Sequence, residues 1–231
     1  MKIILDETTG YLHPEQPELN EMVLRIHQAG FQACFHAVQQ NAIEAAWSAI
    51  EYALKKLPRL DHRHRIEHCS GCPPSLAKKM ASLGIMVVTQ PSFIYYSGGR
   101  YLQTVPPEEL KHLYPIRTLL KSGVKVAASS DCPISPANPL IGVYAATSRM
   151  TETGETVLPE EKVTVEEALR MYGETAARAT FEEEMKGSIT PDKLADLVVL
   201  NGDPTKVPFN EIKEIKVEMT ILNGEVAWER R

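Results

Sequence analysis

The chain has 231 residues, 43% of them hydrophobic and 24% charged, with a formal net charge of −5. That length can bury a sizeable core, and an acidic balance without a basic stripe argues against nucleic acid as a partner. The apolar runs are too short for a transmembrane helix, Asp6 comes too early for a signal peptide, and four cysteines without such a leader predict free thiols in a reducing cytoplasm.

In chain order, Lys2 to Leu5 reads as a strand that begins at the very start of the chain. Leu19, Met22, Val23 and Ile26 have helical spacing within 17–29, with Gly30 as a stop. Gln32 to His36 is a second strand, and Asn41 to Leu57 a helix capped by Asn41 and ended by Pro58. Arg63 to His68 is a third strand, Pro73 to Leu83 a helix opened by proline, and Ile85 to Thr89 a fourth strand. The stretch from Gln90 to Leu113, with Gly98-Gly99 and Pro106-Pro107, reads as a long irregular segment of the kind that serves as a lid. Tyr114 to Lys121 is a short helix and Val124 to Ala128 the fifth strand. Helices then follow over Pro139 to Arg149 and Thr164 to Thr180. The period changes after Lys193: Ala195 to Leu200 and Lys216 to Leu222 are strands, and Asn223-Gly224 turns the second into Glu225 to Trp228. Strand–helix alternation followed by a β tail indicates a parallel α/β layer with a small β appendage.

Three short segments carry the chemistry: Phe35-His36-Ala37, Arg65-Ile66-Glu67-His68-Cys69 and Ser130-Asp131-Cys132-Pro133. Each His or Asp closes an apolar run at the carboxyl end of a strand, where parallel α/β folds display active-site groups. Imidazole and carboxylate suit Zn²⁺. Lys2 alone is a solvated lysine; inside a core strand it is a candidate for carbamylation, which would let it bridge metals as a plain ammonium does not. Cys69-Ser70-Gly71-Cys72 imitates a redox or zinc motif but lacks the second pair a zinc knuckle needs, so structural thiols are expected. His62-Arg63-His64 precedes its strand instead of ending one and is read as surface, and His13, His27 and His112 as residues without a specific role.

Together these segments resemble the amidohydrolase superfamily, specifically the amidohydrolase 3 group of metal-dependent hydrolases, over nearly the whole chain. Lys2-Ile3-Ile4-Leu5-Asp6 resembles the family's strand-four segment and Phe35-His36-Ala37-Val38 its strand-five histidine. Arg65 to Cys69 resembles the strand-six motif and Ser130 to Ile134 the strand-eight aspartate motif. Gly187-Ser188-Ile189, Lys193 to Leu200 and Thr220 to Gly224 resemble the family's tail. The resemblance implies an α/β fold: a partial (β/α)8 TIM-type barrel, strands four to eight, over 1–185, then a carboxyl-terminal piece of a small β-sandwich over 186–231. It makes His36, His68 and Asp131 metal ligands, Lys2 a carbamylated bridging ligand, and Asp131 also the group that moves the proton. Gln90 and Arg100 are placed on the substrate side.

The implied cofactor is zinc, as one or two divalent metals, and the implied reaction is hydrolysis of amide or other C–N bonds in a small-molecule substrate by a metal-activated water. The family's first three strands and its His-x-His pair have no counterpart here, and Gln39-Gln40-Asn41 stands where the family usually has Gly-Asp-Arg. The alternatives are therefore a catalytically inactive scaffold, a homo-oligomer or interaction protein built on the open sheet edge, and a chain completed by a separate amino-terminal partner. A membrane role is not expected, and the location expected is the cytoplasm.

Overall fold

The computed structural model describes residues 2–4 and 14–231, with the backbone alone at Lys2 and Ile4. The chain divides into two compact units, residues 1–89 with 104–126, and residues 90–103 with 127–231.

In the first unit β1 (Lys2–Ile4), α1 (Gln16–Gln28), β2 (Cys34–Ala37), α2 (Gln40–Lys56), β3 (Arg65–His68), α3 (Pro74–Leu83) and β4 (Met86–Thr89) alternate strictly. After α4 (Ser92–Thr104), which belongs to the second unit, come α5 (Pro107–Leu110), α6 (Ile116–Lys121) and the start of β5 (Lys125–Ala128). The sheet order is β1-β2-β3-β4-β5, and β1 to β4 pair in parallel. Phe35, Ala37 and Ile66 are fully buried, whereas Cys34, His36, Arg65 and Glu67 on the other face of β2 and β3 are half-buried. The helices supply the cover. α1 buries Leu19, Val23, Ile26 and His27, one face of a 3.6-residue period. α2 meets it with Ala42, Ala46, Ala49 and Ala53 among its buried residues. α3 ends on Gly84 in the left-handed region at φ 73°, whose N–H closes onto Met80 and Ala81 carbonyls.

The second unit holds α4, the end of β5, α7 (Pro139–Ser148), α8 (Val165–Tyr172) and α9 (Glu174–Ala179). It closes with an antiparallel sheet in order β6-β7-β8, from β6 (Leu197–Leu200), β7 (Val217–Leu222) and β8 (Glu225–Glu229). Asn223 (φ 50°) and Gly224 (φ 82°) make the expected two-residue hairpin turn. Thr164 and Glu167 form a capping box at α8. No helix among the described residues is long and apolar enough to cross a membrane.

Several local expectations are corrected. The stretch after Gln90 is not irregular: α4 runs straight through Gly98-Gly99. Gly98 is there for close approach, since a Cβ at that position would lie 2.6 Å from Thr151 Cγ2. The helix expected over 164–180 is two helices, broken at Gly173 (φ −108°, ψ −94°), where a Cβ would stand 3.1 Å from the Gly187 carbonyl oxygen. Asn41 does not cap α2; the N-cap is Gln39, without a side-chain bond.

Gly142 of α7 gives the sharpest packing constraint, because a Cβ there would fall 1.8 Å from Tyr172 Oη and 2.7 Å from its Cζ. Gly142→Ala should destabilise the protein by ~2 kcal/mol, since overpacking outweighs the helix-propensity gain of about 1 kcal/mol. Equilibrium denaturant unfolding checks this; a stabilised variant would contradict it.

Candidate functional site

Two imidazoles meet at the carboxyl end of the first unit's sheet. β2 and β3 pair so that His36 faces Glu67 and Ala37 faces His68. By strand alternation His68 should point to the face opposite His36. It does not: His68 (φ 70°) and Cys69 (φ 54°) both enter the left-handed region, ending the pleat. The re-aimed His68 Nε2 lies 2.9 Å from His36 Nδ1, with ring centroids 4.4 Å apart and planes at 71°. Two consecutive non-glycine residues in that region cost ~1–3 kcal/mol each. The surroundings hold them there. Cys69 N–H donates to the Ala37 and Glu67 carbonyls, Gly71 N–H to Val38 O at 2.9 Å, and Tyr114 N–H to Ser70 O at 2.7 Å.

The donor pair suits a divalent metal. A tetrahedral Zn²⁺ with Zn–N near 2.0–2.1 Å holds two nitrogens about 3.3 Å apart, so the 2.9 Å pair needs only a small opening and loss of the shared proton. Among the described residues no group of three His, Cys, Asp or Glu side chains is arranged to hold a metal ion. Lys2 lies on β1 in register with Cys34, but its side chain falls outside the described residues.

The other predicted site residues are in the second unit. Asp131 follows β5, exposed and in the left-handed region at φ 55°. Its carbonyl accepts from Ile134 N–H at 2.8 Å. The preceding carbonyl, Ser130 O, accepts from Ser135 Oγ at 2.6 Å. Ser135 has one hydroxyl proton, so Ser92 Oγ, 2.9 Å away, must be the donor between the two buried serines. Sequence reasoning missed this relay because its members are 43 residues apart. Gln90 is buried, with Nε2 3.0 Å from Ser129 Oγ, and Arg100 is exposed on α4 with its guanidinium 5.1 Å from the Tyr101 ring centre.

The cysteine motif is a pair of buried free thiols. The hydrogen bond with Cys72, then burial, hold the Cys69 thiol well above the usual range. The histidines read as surface or idle are different from expectation: His62, His64 and His27 are all buried, at 2%, 0% and 1% exposure. Signals for this were present. His64 alternates with Ile66 on the buried face, and His27 shares the apolar stripe of α1 with Val23. His13 lies outside the described residues.

The sequence profile of the Amidohydrolase family matches residues 1–227. The chain belongs to that family. It is 31% identical over 215 residues to an N-substituted formamide deformylase of Arthrobacter pascens, an alignment covering 92% of this chain and 39% of that protein. Among solved structures it is similar to a metal-dependent hydrolase from Pyrococcus furiosus, with TM-score 0.74 and 27% identity over 89% of this chain and 45% of that one. A metal-dependent hydrolase from Pyrococcus horikoshii shares the fold with TM-score 0.78 at 23% identity, over 91% of this chain and 46% of that one. The chain therefore spans about two fifths of the length of the curated relatives it matches.

Thiol labelling checks the burial pattern. With a chromogenic disulfide reagent, exposed Cys132 should react quickly. Cys34, whose pKa is raised chiefly by burial, should react slowly, and Cys69 and Cys72 only after unfolding. Fast labelling of Cys69 or Cys72 in the native chain would contradict it.

Proposed function

We propose that this chain carries part of the active site of a hydrolase acting on amide or other C–N bonds of a small molecule. The observation that supports the reading best is the His36–His68 pair, two imidazole nitrogens 2.9 Å apart at the carboxyl ends of adjacent parallel strands. On this reading the first five strands correspond to strands four to eight of a (β/α)8 barrel, and residues 186–231 to part of a small β-sandwich.

His36 and His68 would hold a divalent metal, zinc by the chemistry of the donors, and carbamylated Lys2 and Asp131 would complete the set given by the family resemblance. When bound, the metal supplies a water acidified toward neutrality. His68 contributes Nε2 and His36 Nδ1, so each ring must keep its proton on its other nitrogen. The Asp131 carboxylate takes a proton from the attacking water and returns it to the leaving nitrogen. The Ser92–Ser135 relay fixes the Ser130 carbonyl and so the backbone that presents Asp131. Gln90 and Arg100 act on the substrate side, and N-substituted formamides are the first substrates to try, after the Arthrobacter relative.

A second reading is favoured by the tail sheet, where Val198, Val199, Leu222, Val226 and Trp228 are each 45–57% exposed. Apolar residues in such numbers on one small sheet favour association, with a second copy or with a chain supplying the remainder of the relatives' length. In that case the segment acts only within an assembly, in the cytoplasm.

Elemental analysis of protein purified without added metal tests the main reading. Stoichiometric zinc is expected, with affinity reduced at least about tenfold in His68→Ala. A folded chain without metal, or equal zinc in wild type and His68→Ala, would overturn it. Light scattering at two concentrations tests the second reading for a second copy of this chain: a monomer at both would sink self-association.

A further inference from the structure

A second group of imidazoles lies at the other end of β2 and β3, and its hydrogen bonds assign every proton. Ala33 N–H donates to His64 Nδ1 at 2.9 Å, so that nitrogen must be a lone-pair acceptor. Neutral His64 then carries its proton on Nε2 and donates it to His27 Nδ1, 2.9 Å away. His27 in turn carries its proton on Nε2 and donates to Leu57 O at 2.7 Å. Independently, His64 N–H donates to His62 Nδ1 at 2.9 Å, which leaves His62 Nε2 to donate to Leu83 O at 2.7 Å. All six ring nitrogens are used once.

The carbonyls reached are the C-cap of α2 and the last residue of α3, two of the orphan acceptors that every helix end must satisfy. The donor Ala33 leads into β2, His62 and His64 lead into β3, and His27 lies in the last turn of α1. The cluster thus ties three helix ends to two strand starts inside the first unit.

No nitrogen is free to take a second proton without breaking a bond. On His64 the proton would displace Ala33 N–H; on His27 it would confront His64 Nε2–H; on His62 it would confront His64 N–H. We propose that His27, His62 and His64 form an acid-sensitive latch, which holds the ends of α1, α2 and α3 on the starts of β2 and β3 while all three rings are neutral and releases them when one is protonated.

The electrostatic surroundings agree. Burial, then His62, His27 and Arg59, push His64 down to about 2, and burial is likewise the main cause that lowers His62. Arg59 faces the cluster from the loop after α2, with Nη1 3.5 Å from His27 O. Asp61 and the Leu83 carbonyl act on His62 in the opposite sense, but the Asp61 carboxylate is already taken by the Arg63 guanidinium at 2.6–3.0 Å. The unfolded chain protonates His62 and His64 near pH 6.5, whereas in the folded latch both are held below that value. Stability from the latch is therefore complete above about pH 6.5 and is lost progressively as pH falls below it.

The test uses the wild-type chain with ¹⁵N-labelled histidine. NMR should show all three rings as Nε2–H tautomers at neutral pH, with His62 and His64 still neutral down to about pH 5. Hydrogen exchange should show the Ala33 and His64 amides opening more readily below pH 6.5, by roughly tenfold per pH unit for each proton taken up, after correction for intrinsic exchange. A titrating ring or an Nδ1–H tautomer in the cluster would overturn the latch. So would an opening constant unchanged between pH 7 and 5.

Discussion

The pairing of β2 with β3 governs both ends of the first unit. Its register puts Ala37 beside His68 and would, with the pleat continued, leave His36 and His68 on opposite faces. The chain gives up the pleat instead, placing His68 and Cys69 at positive φ and anchoring the following turn through backbone bonds from Gly71 and Tyr114. The strain is local and the bonds that offset it are several, which is the usual arrangement where a side chain must be aimed. Without that departure the two imidazole nitrogens would not meet.

At the amino-terminal ends of the same two strands, histidine has the opposite task. There the rings are buried and each nitrogen has one partner, so they act as fixed polar joints between helix ends and strand starts. At the carboxyl end His36 is only half-buried, and the two rings share a hydrogen bond whose proton a cation would replace on the proposed reading. One residue type thus serves as structural joint at one end of the strands and as candidate ligand at the other.

Much of this was legible in the sequence. Strand–helix alternation, the β tail and the Asn223-Gly224 hairpin followed from short apolar runs and turn residues, which are local signals. His36 and His68 stood out because each closes such a run. What was hidden depended on partners far along the chain. Gly98 looked like a helix breaker, yet α4 uses it to approach Thr151, 53 positions on. Gly173 was passed over as an interior residue, although its missing Cβ makes room for the Gly187 carbonyl and the helix breaks there. His62 and His64 were judged by their place before a strand, when their alternation with Ile66 marked the buried face. The serine relay behind Asp131 had no sequence signature at all.

The central claim is that His36 Nδ1 and His68 Nε2 are two ligands of one metal ion. Anomalous diffraction at the zinc edge, on crystals grown with zinc, tests it most directly. The account predicts a peak within coordination distance of both nitrogens, with the rings opened apart from their present 2.9 Å contact. Ordered zinc at Cys69 and Cys72 instead, or the two rings still bonded to each other in the presence of zinc, would contradict it.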